Sequence, residues 1–214
     1  MRKIILDTET TGLSRTHNKI IEIGALETFD NIPSGEFFHV YLNPGVPITA
    51  ECFRICGLSE EFLQDKPIFK DIVADLDEFI GGDPIIAHNA SFDMGFLNME
   101  REIIGLPSLQ NPVIDTLKIA RKVFPGLPCS LDALCKRFKV SLHKRDKHGA
   151  LIDAELLAKV YFYLLEKQSN EYSLLDISIE EVIEDMLFNR LPLIIQDISD
   201  EQENIKFCEK FGIQ

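Results

Sequence analysis

Apolar and polar positions change period along this chain in a way that lays out a mixed α/β layer. The runs Ile4-Ile5-Leu6 and Pro84-Ile85-Ile86-Ala87 are short and continuously apolar, as strands covered on both faces are. With their neighbours they predict strands over 3–8, 19–27, 36–42, 84–88 and 112–115. Between 68 and 80, Phe69, Ile72, Val73, Leu76, Phe79 and Ile80 recur at helical spacing, and Gly81-Gly82 stop the pattern. Further helices are predicted over 91–104, 116–123, 130–138 and 151–166. The last of these has Leu156, Leu157, Val160 and Leu164 on its apolar face. Three early strands joined by short turns, then strands alternating with helices, predict a mixed sheet flanked by helices.

Three polar blocks interrupt this pattern. Asp7-Thr8-Glu9-Thr10-Thr11-Gly12 follows the first apolar run. Side chains alternate along a strand, so Asp7 and Glu9 project to one face with Thr8 on the other. Two adjacent carboxylates at the end of a buried strand repel each other unless a proton or a cation lies between them. A helix cap or turn is the ordinary alternative for such residues. His88-Asn89-Ala90-Ser91-Phe92-Asp93 spans a strand-to-helix turn. Asp93 falls in the first helical turn, where the helix dipole alone favours a carboxylate. His148 and Asp153 are five positions apart, which on one helix would point them about 140° away from each other. His148 is therefore expected on the loop before the helix that carries Asp153.

Four carboxylates (Asp7, Glu9, Asp93 and Asp153) with one His suit two divalent ions roughly 3.5–4 Å apart. Hard oxygen donors favour Mg²⁺ or Mn²⁺, and no Cys/His set for zinc is present in the sequence. The chemistry expected is metal-assisted hydrolysis of a phosphodiester. One ion activates water and the other stabilises the leaving oxygen. His148 is the candidate general base, worth about 10²–10⁴-fold.

In this order the blocks resemble the three motifs of the DEDDh exonuclease family. Ile114-Asp115-Thr116-Leu117, Ala120-Arg121, Phe124-Pro125-Gly126, Ser130-Leu131-Asp132-Ala133-Leu134-Cys135 and His148-Gly149-Ala150-Leu151-Ile152-Asp153-Ala154 are similar, more narrowly, to the family's proofreading branch, the epsilon subunits of bacterial DNA polymerase III. The resemblance spans residues 1 to about 168. It implies a ribonuclease H-like fold with a five-stranded sheet and digestion of DNA from 3′ to 5′. It also implies that Asp7 bridges both metals, that Glu9 and Asp153 complete one site, and that Asp93 serves the other. Glu9 and the Thr10 N–H would hold the terminal 3′-hydroxyl, His148 would act on the same end, and Asn89 and Phe92 would line the path of the last nucleotide. A mispaired end, which unstacks at lower cost, would enter best. One position departs from the pattern. The segment Glu51–Leu58 has Cys56 where the family carries a His near that nucleotide.

Composition sharpens the partners. The net charge is −13, the wrong sign for a chain that holds DNA by phosphate contacts alone. Lys136, Arg137, Lys139, Lys144, Arg145 and Lys147 form the densest basic stretch, facing either the strand or solvent. Another protein supplying DNA affinity, with this chain working by proximity, is the simplest expectation. Residues 1–168 then form the exonuclease domain and 169–214 a C-terminal acidic tail. Residues 171–214 hold eleven acids against three bases, yet carry apolar anchors: Ile179, Val182, Ile183, Met186 and Leu187, then Leu191–Ile195, then Ile205, Phe207 and Phe211. Anchors without their own core predict docking. By resemblance the partner is the catalytic subunit of DNA polymerase III; folding back on its own domain is the alternative. Gln168-Ser169-Asn170 falls where such proteins carry a sliding-clamp motif but lacks the apolar residues expected after it, so clamp binding rests on position alone. Five cysteines without a Cys-x-x-Cys pair predict reduced thiols. A short N-terminal apolar run and no membrane-length stretch predict a soluble, cytoplasmic protein. The competing readings are a stand-alone exonuclease acting on RNA or repair intermediates, and a non-catalytic binding module.

Overall fold

The computed structural model describes residues 1–142 and 147–169. Five strands form one sheet in the order β3-β2-β1-β4-β5. They are β1 (Arg2–Thr10), β2 (Ile20–Phe29), β3 (Ile32–Tyr41), β4 (Ile85–Ala87) and β5 (Val113–Asp115). The first three form an antiparallel meander, and β4 and β5 add in parallel on the far side of β1. The predicted mixed sheet is therefore present. The β2–β3 hairpin is longer than expected because Asp30 and Asn31 both take positive φ, 52° and 69°, the conformation of a tight turn that continues both strands.

Helices α3 (Phe69–Ile80) and α4 (Ser91–Ile103) cover one face of the sheet, packed on Ile4, Leu6, Ile23 and Ile85. Helices α5 (Thr116–Val123), α6 (Leu131–Arg137) and α7 (Ala150–Ser169) cover the other, packed on Ile5, Leu26 and Ile86. Two short helices not expected from periodicity, α1 (Ala50–Cys56) and α2 (Glu60–Leu63), follow β3. They are too short for a helical stripe. Their signal is local: Thr49 and Ser59 each accept an N–H of the first turn. Among the described residues no helix is long and apolar enough to cross a membrane. The C-terminal docking anchors, Asn170 of the clamp segment, and Lys144 and Arg145 of the basic stretch lie outside the described residues.

Candidate active site

The C-terminal half of β1 carries the first acids. Thr8 and Thr10 are buried, while Asp7 and Glu9 lie on the face of Ile5, the face covered by α7. On the other side β4 stops at Ala87. Ile4 N–H bonds to Pro84 O at 2.9 Å, and every second N–H along β1 points the same way. At Thr8 no strand remains to receive it. Asp93 does so instead: its Oδ1 accepts the Thr8 N–H at 3.0 Å and the Thr8 hydroxyl at 2.8 Å. Asp93 stands in the first turn of α4, buried.

Burial pushes the Asp93 carboxyl up to about 7; the Thr8 bonds offset part of this, and Asp115 adds to the rise. Asp7 is held well above the ordinary carboxylate range, first by burial and then by the charges of Asp93, Asp153, Glu9 and Glu22. Both groups bind protons more tightly folded than unfolded. Their contribution to stability is therefore complete below about pH 4 and is lost as pH rises through about 7 for Asp93. In EDTA the melting temperature is expected to fall between about pH 5 and about pH 8, and Mg²⁺ to restore most of it at the upper end. A thermal melt series with and without Mg²⁺ checks this; a profile indifferent to the ion would contradict it.

Helix α7 brings the third block. Asp153 is buried in its first turn, its N–H bonded to Gly149 O at 2.9 Å. His148 lies on the loop just before the helix, as the spacing predicts. Its backbone N–H bonds to Ile55 O of α1 at 3.1 Å, and its Nδ1 is 3.1 Å from Asp153 Oδ2. A carboxylate only accepts, so the proton of this contact belongs on Nδ1, and in the neutral ring the lone pair is on Nε2. The His148 side chain is 44% exposed, that of Asp153 only 5%. Ligand atoms of Glu9, His148 and Asp153 all lie within 4.8 Å of one another. With the mutual repulsion raising Asp7, this donor set fits a divalent cation.

The close approach of α7 depends on Gly24, which stands opposite Asp7 on β2. A Cβ there would lie 2.3 Å from the Leu151 nitrogen and 2.4 Å from the Ala150 carbonyl carbon. Glycine in a strand marks such an approach, a signal the sequence reading did not use. Glu22 and His39 belong to no motif of the sequence, and Thr8 was placed only on the other face of its strand. A charge inside the apolar run Ile20-Ile21-Glu22-Ile23 was the available clue to Glu22.

The remaining predicted residues surround these. Asn89 takes a positive φ of 65°, and its N–H bonds to Asp115 Oδ1 at 3.2 Å, the same oxygen that caps α5. Phe92 is half-buried, its ring 4.9 Å from that of Phe96. The buried Thr10 donates its hydroxyl to Gly12 O at 2.8 Å. Cys56 is buried in a cluster with Ile21, Leu58 and Leu63. Burial pushes its thiol up, with Glu9 close enough to add to the effect. Its side chain thus packs inward, among apolar neighbours. His88 is a structural tie: Nδ1 lies 2.9 Å from Thr116 Oγ1, and burial holds the ring below its ordinary pKa.

An exonuclease family model, RNase_T, matches residues 4–161. The DNA polymerase III epsilon subunit of Rickettsia felis is 48% identical over 186 residues, 84% of this chain and 81% of that protein. The epsilon subunit of Salmonella typhimurium is 44% identical over 178 residues, 79% of this chain and 73% of that protein. The structure of exonuclease X in complex with 5′-overhanging duplex DNA superposes with a TM-score of 0.62 at 28% identity, covering 80% of this chain and 94% of that one. A buried sheet end where acids from β1, α4 and α7 converge, in a chain this close to such relatives, places it plainly: the chain belongs to the RNase_T exonuclease family, among the DNA polymerase III epsilon subunits, and is a 3′→5′ exonuclease.

Proposed function

We propose that this chain removes terminal, preferentially mispaired, nucleotides from DNA at a site of two divalent ions held by Asp7, Glu9, Asp93 and Asp153. The observation that carries the reading is the convergence of Glu9, His148 and Asp153 within 4.8 Å, beside an Asp7 that burial and neighbouring acids hold well above its ordinary range. All-oxygen carboxylates favour Mg²⁺ or Mn²⁺. Ions bound there supply the Lewis acidity that makes water nucleophilic and the charge that stabilises the leaving oxygen.

The chain's own residues do the rest. His148, tethered to Ile55 O and with Nδ1 directed at Asp153, presents Nε2 to take the proton of the attacking water. Glu9 and the Thr10 N–H hold the terminal 3′-hydroxyl. Asn89 and Phe92 flank Asp93 at the entrance to α4 and line the last nucleotide, with Cys56 beneath. His148→Ala is expected to lower kcat about 10²–10⁴-fold while KM changes little. Steady-state kinetics on a single-stranded oligonucleotide check this, and a change confined to KM would remove His148 from the role of base.

The relatives are named as subunits of DNA polymerase III. On that ground we assign residues 169–214 to binding the catalytic subunit of such a polymerase, with clamp binding a lesser contribution and the cytoplasm as the site of action. The acidic net charge of −13 fits an enzyme brought to DNA by its partner. Deleting 171–214 is expected to abolish co-purification with the polymerase subunit while exonuclease activity on single strands persists; retained co-purification would put the polymerase contact outside 171–214, and a full chain that does not co-purify at all would favour a stand-alone enzyme.

A further inference from the structure

Glu22 is a buried carboxylate that the reaction outlined above does not use. It is 3% exposed and stands opposite Glu9 in the β1–β2 register. Its Oε1 lies 2.8 Å from His39 Nε2, and the His39 ring packs edge-on against Tyr41 at 4.9 Å. Tyr41 is itself the register partner of Glu22. The carboxylate is thus anchored from β3 while β1 passes on its other side. Above it runs the start of α7. A Cβ at Gly149 would meet both Glu22 oxygens, at 3.8 and 3.9 Å. Two residues along β2, Gly24 lets the Ala150–Leu151 backbone approach the sheet. The carboxylate therefore sits beneath the hinge that joins His148 to its helix, near the positive end of the α7 dipole.

A buried carboxylate so close to Glu9 is costly even with His39 beside it. What it holds in place is the seat of the His148 segment: Ile55 O fixes that segment from α1, and Glu22 supports it from the sheet. We infer that the Glu22–His39 pair is a positioning device that sets where His148 stands relative to the acids of β1. Glu22 acts through the Gly149 hinge, and His39 acts by fixing the Glu22 rotamer. The inference rests on His148 being the general base.

The test is a double-mutant cycle in the full chain, acting on a single-stranded oligonucleotide with Mg²⁺. Glu22→Ala is expected to lower kcat about 10²-fold with KM within about twofold, because a displaced base loses alignment and not substrate affinity. Glu22→Gln, which keeps the acceptor for His39, is expected to recover most of that loss. His39→Ala, a change at the edge strand that preserves the core, is expected to reproduce the Glu22→Ala defect in part. In a His148→Ala background, Glu22→Ala is expected to cost less than about twofold, since its route to the reaction is gone. Losses that multiply in that background, a Glu22→Gln variant as slow as Glu22→Ala, or a Glu22→Ala or His39→Ala variant with unchanged kcat and intact fold, overturn the pair's role. If His148→Ala itself is fully active, the base assignment has failed instead, and the two failures are distinguishable.

Discussion

Asp7→Asn is expected to abolish cleavage and, in the absence of divalent ions, to make the chain more stable. Both effects follow from one fact. Asp7 is half-buried, and desolvation, with the charges of Asp93, Asp153, Glu9 and Glu22, raises its carboxyl well above the ordinary range. Without a cation its negative charge is a burden on the fold, and the neutral amide removes that burden while keeping the shape. With the cation the same charge is what holds it. The substitution is therefore expected to raise the melting temperature in EDTA at about pH 8, to erase the stabilisation given by Mg²⁺, and to lower the rate at least about 10³-fold. A variant less stable than wild type in EDTA would show that Asp7 is a structural acid, paired in a way the repulsion account omits.

Gly24→Ala is the second large effect. A methyl group would stand 2.3 Å from the Leu151 nitrogen and 2.5 Å from its Cα, all backbone atoms, which cannot swing aside as a side-chain end can. Overpacking of this kind costs about 1–3 kcal/mol or more, a drop of roughly 3–10 °C in melting temperature for a chain of this size. The α7 N-terminus must lift, and Asp153 and His148 lift with it. A displacement on the order of 1 Å costs about 10²-fold in rate. Gly149→Ala is the matched control. A Cβ there meets nothing nearer than 3.8 Å, so stability is expected to hold within about 1 kcal/mol. Calorimetry on the two variants checks the contrast in stability, and the single-turnover rate of Gly24→Ala checks the displacement. Equal behaviour would mean that α7 does not need its close seat on β2.

Much of this was legible in the chain because it is written in period and in charge. The apolar runs gave five strands in their order, and the stripe from Phe69 to Ile80 gave α3. The spacing of His148 and Asp153 excluded a shared helical face, and the structure has His148 on the loop and Asp153 on α7. What escaped was carried by single residues whose meaning lies across the sheet. Gly24 reads as an ordinary weak strand position until α7 is laid on it. Glu22 reads as a surface charge until it is found 3% exposed against His39. Thr8 was assigned only to the back of the strand, yet it is the residue that grips Asp93, because β4 ends too soon to pair with it. Cys56 reads as a departure from the family's His, and the packing of its thiol into the cluster of Ile21, Leu58 and Leu63 depends on partners that no local motif names. Helices α1 and α2 are one or two turns long and are set by caps, so no periodic signal announced them.

The central claim is a metal-dependent digestion that begins at the 3′ end. It is tested most directly with the purified chain, a single-stranded DNA labelled at its 5′ end, Mg²⁺, and EDTA as the control. A ladder of labelled products shortening one nucleotide at a time, present with Mg²⁺ and absent with EDTA, is the predicted result. Release of the label as a mononucleotide at the earliest times, or cleavage indifferent to EDTA, would contradict it.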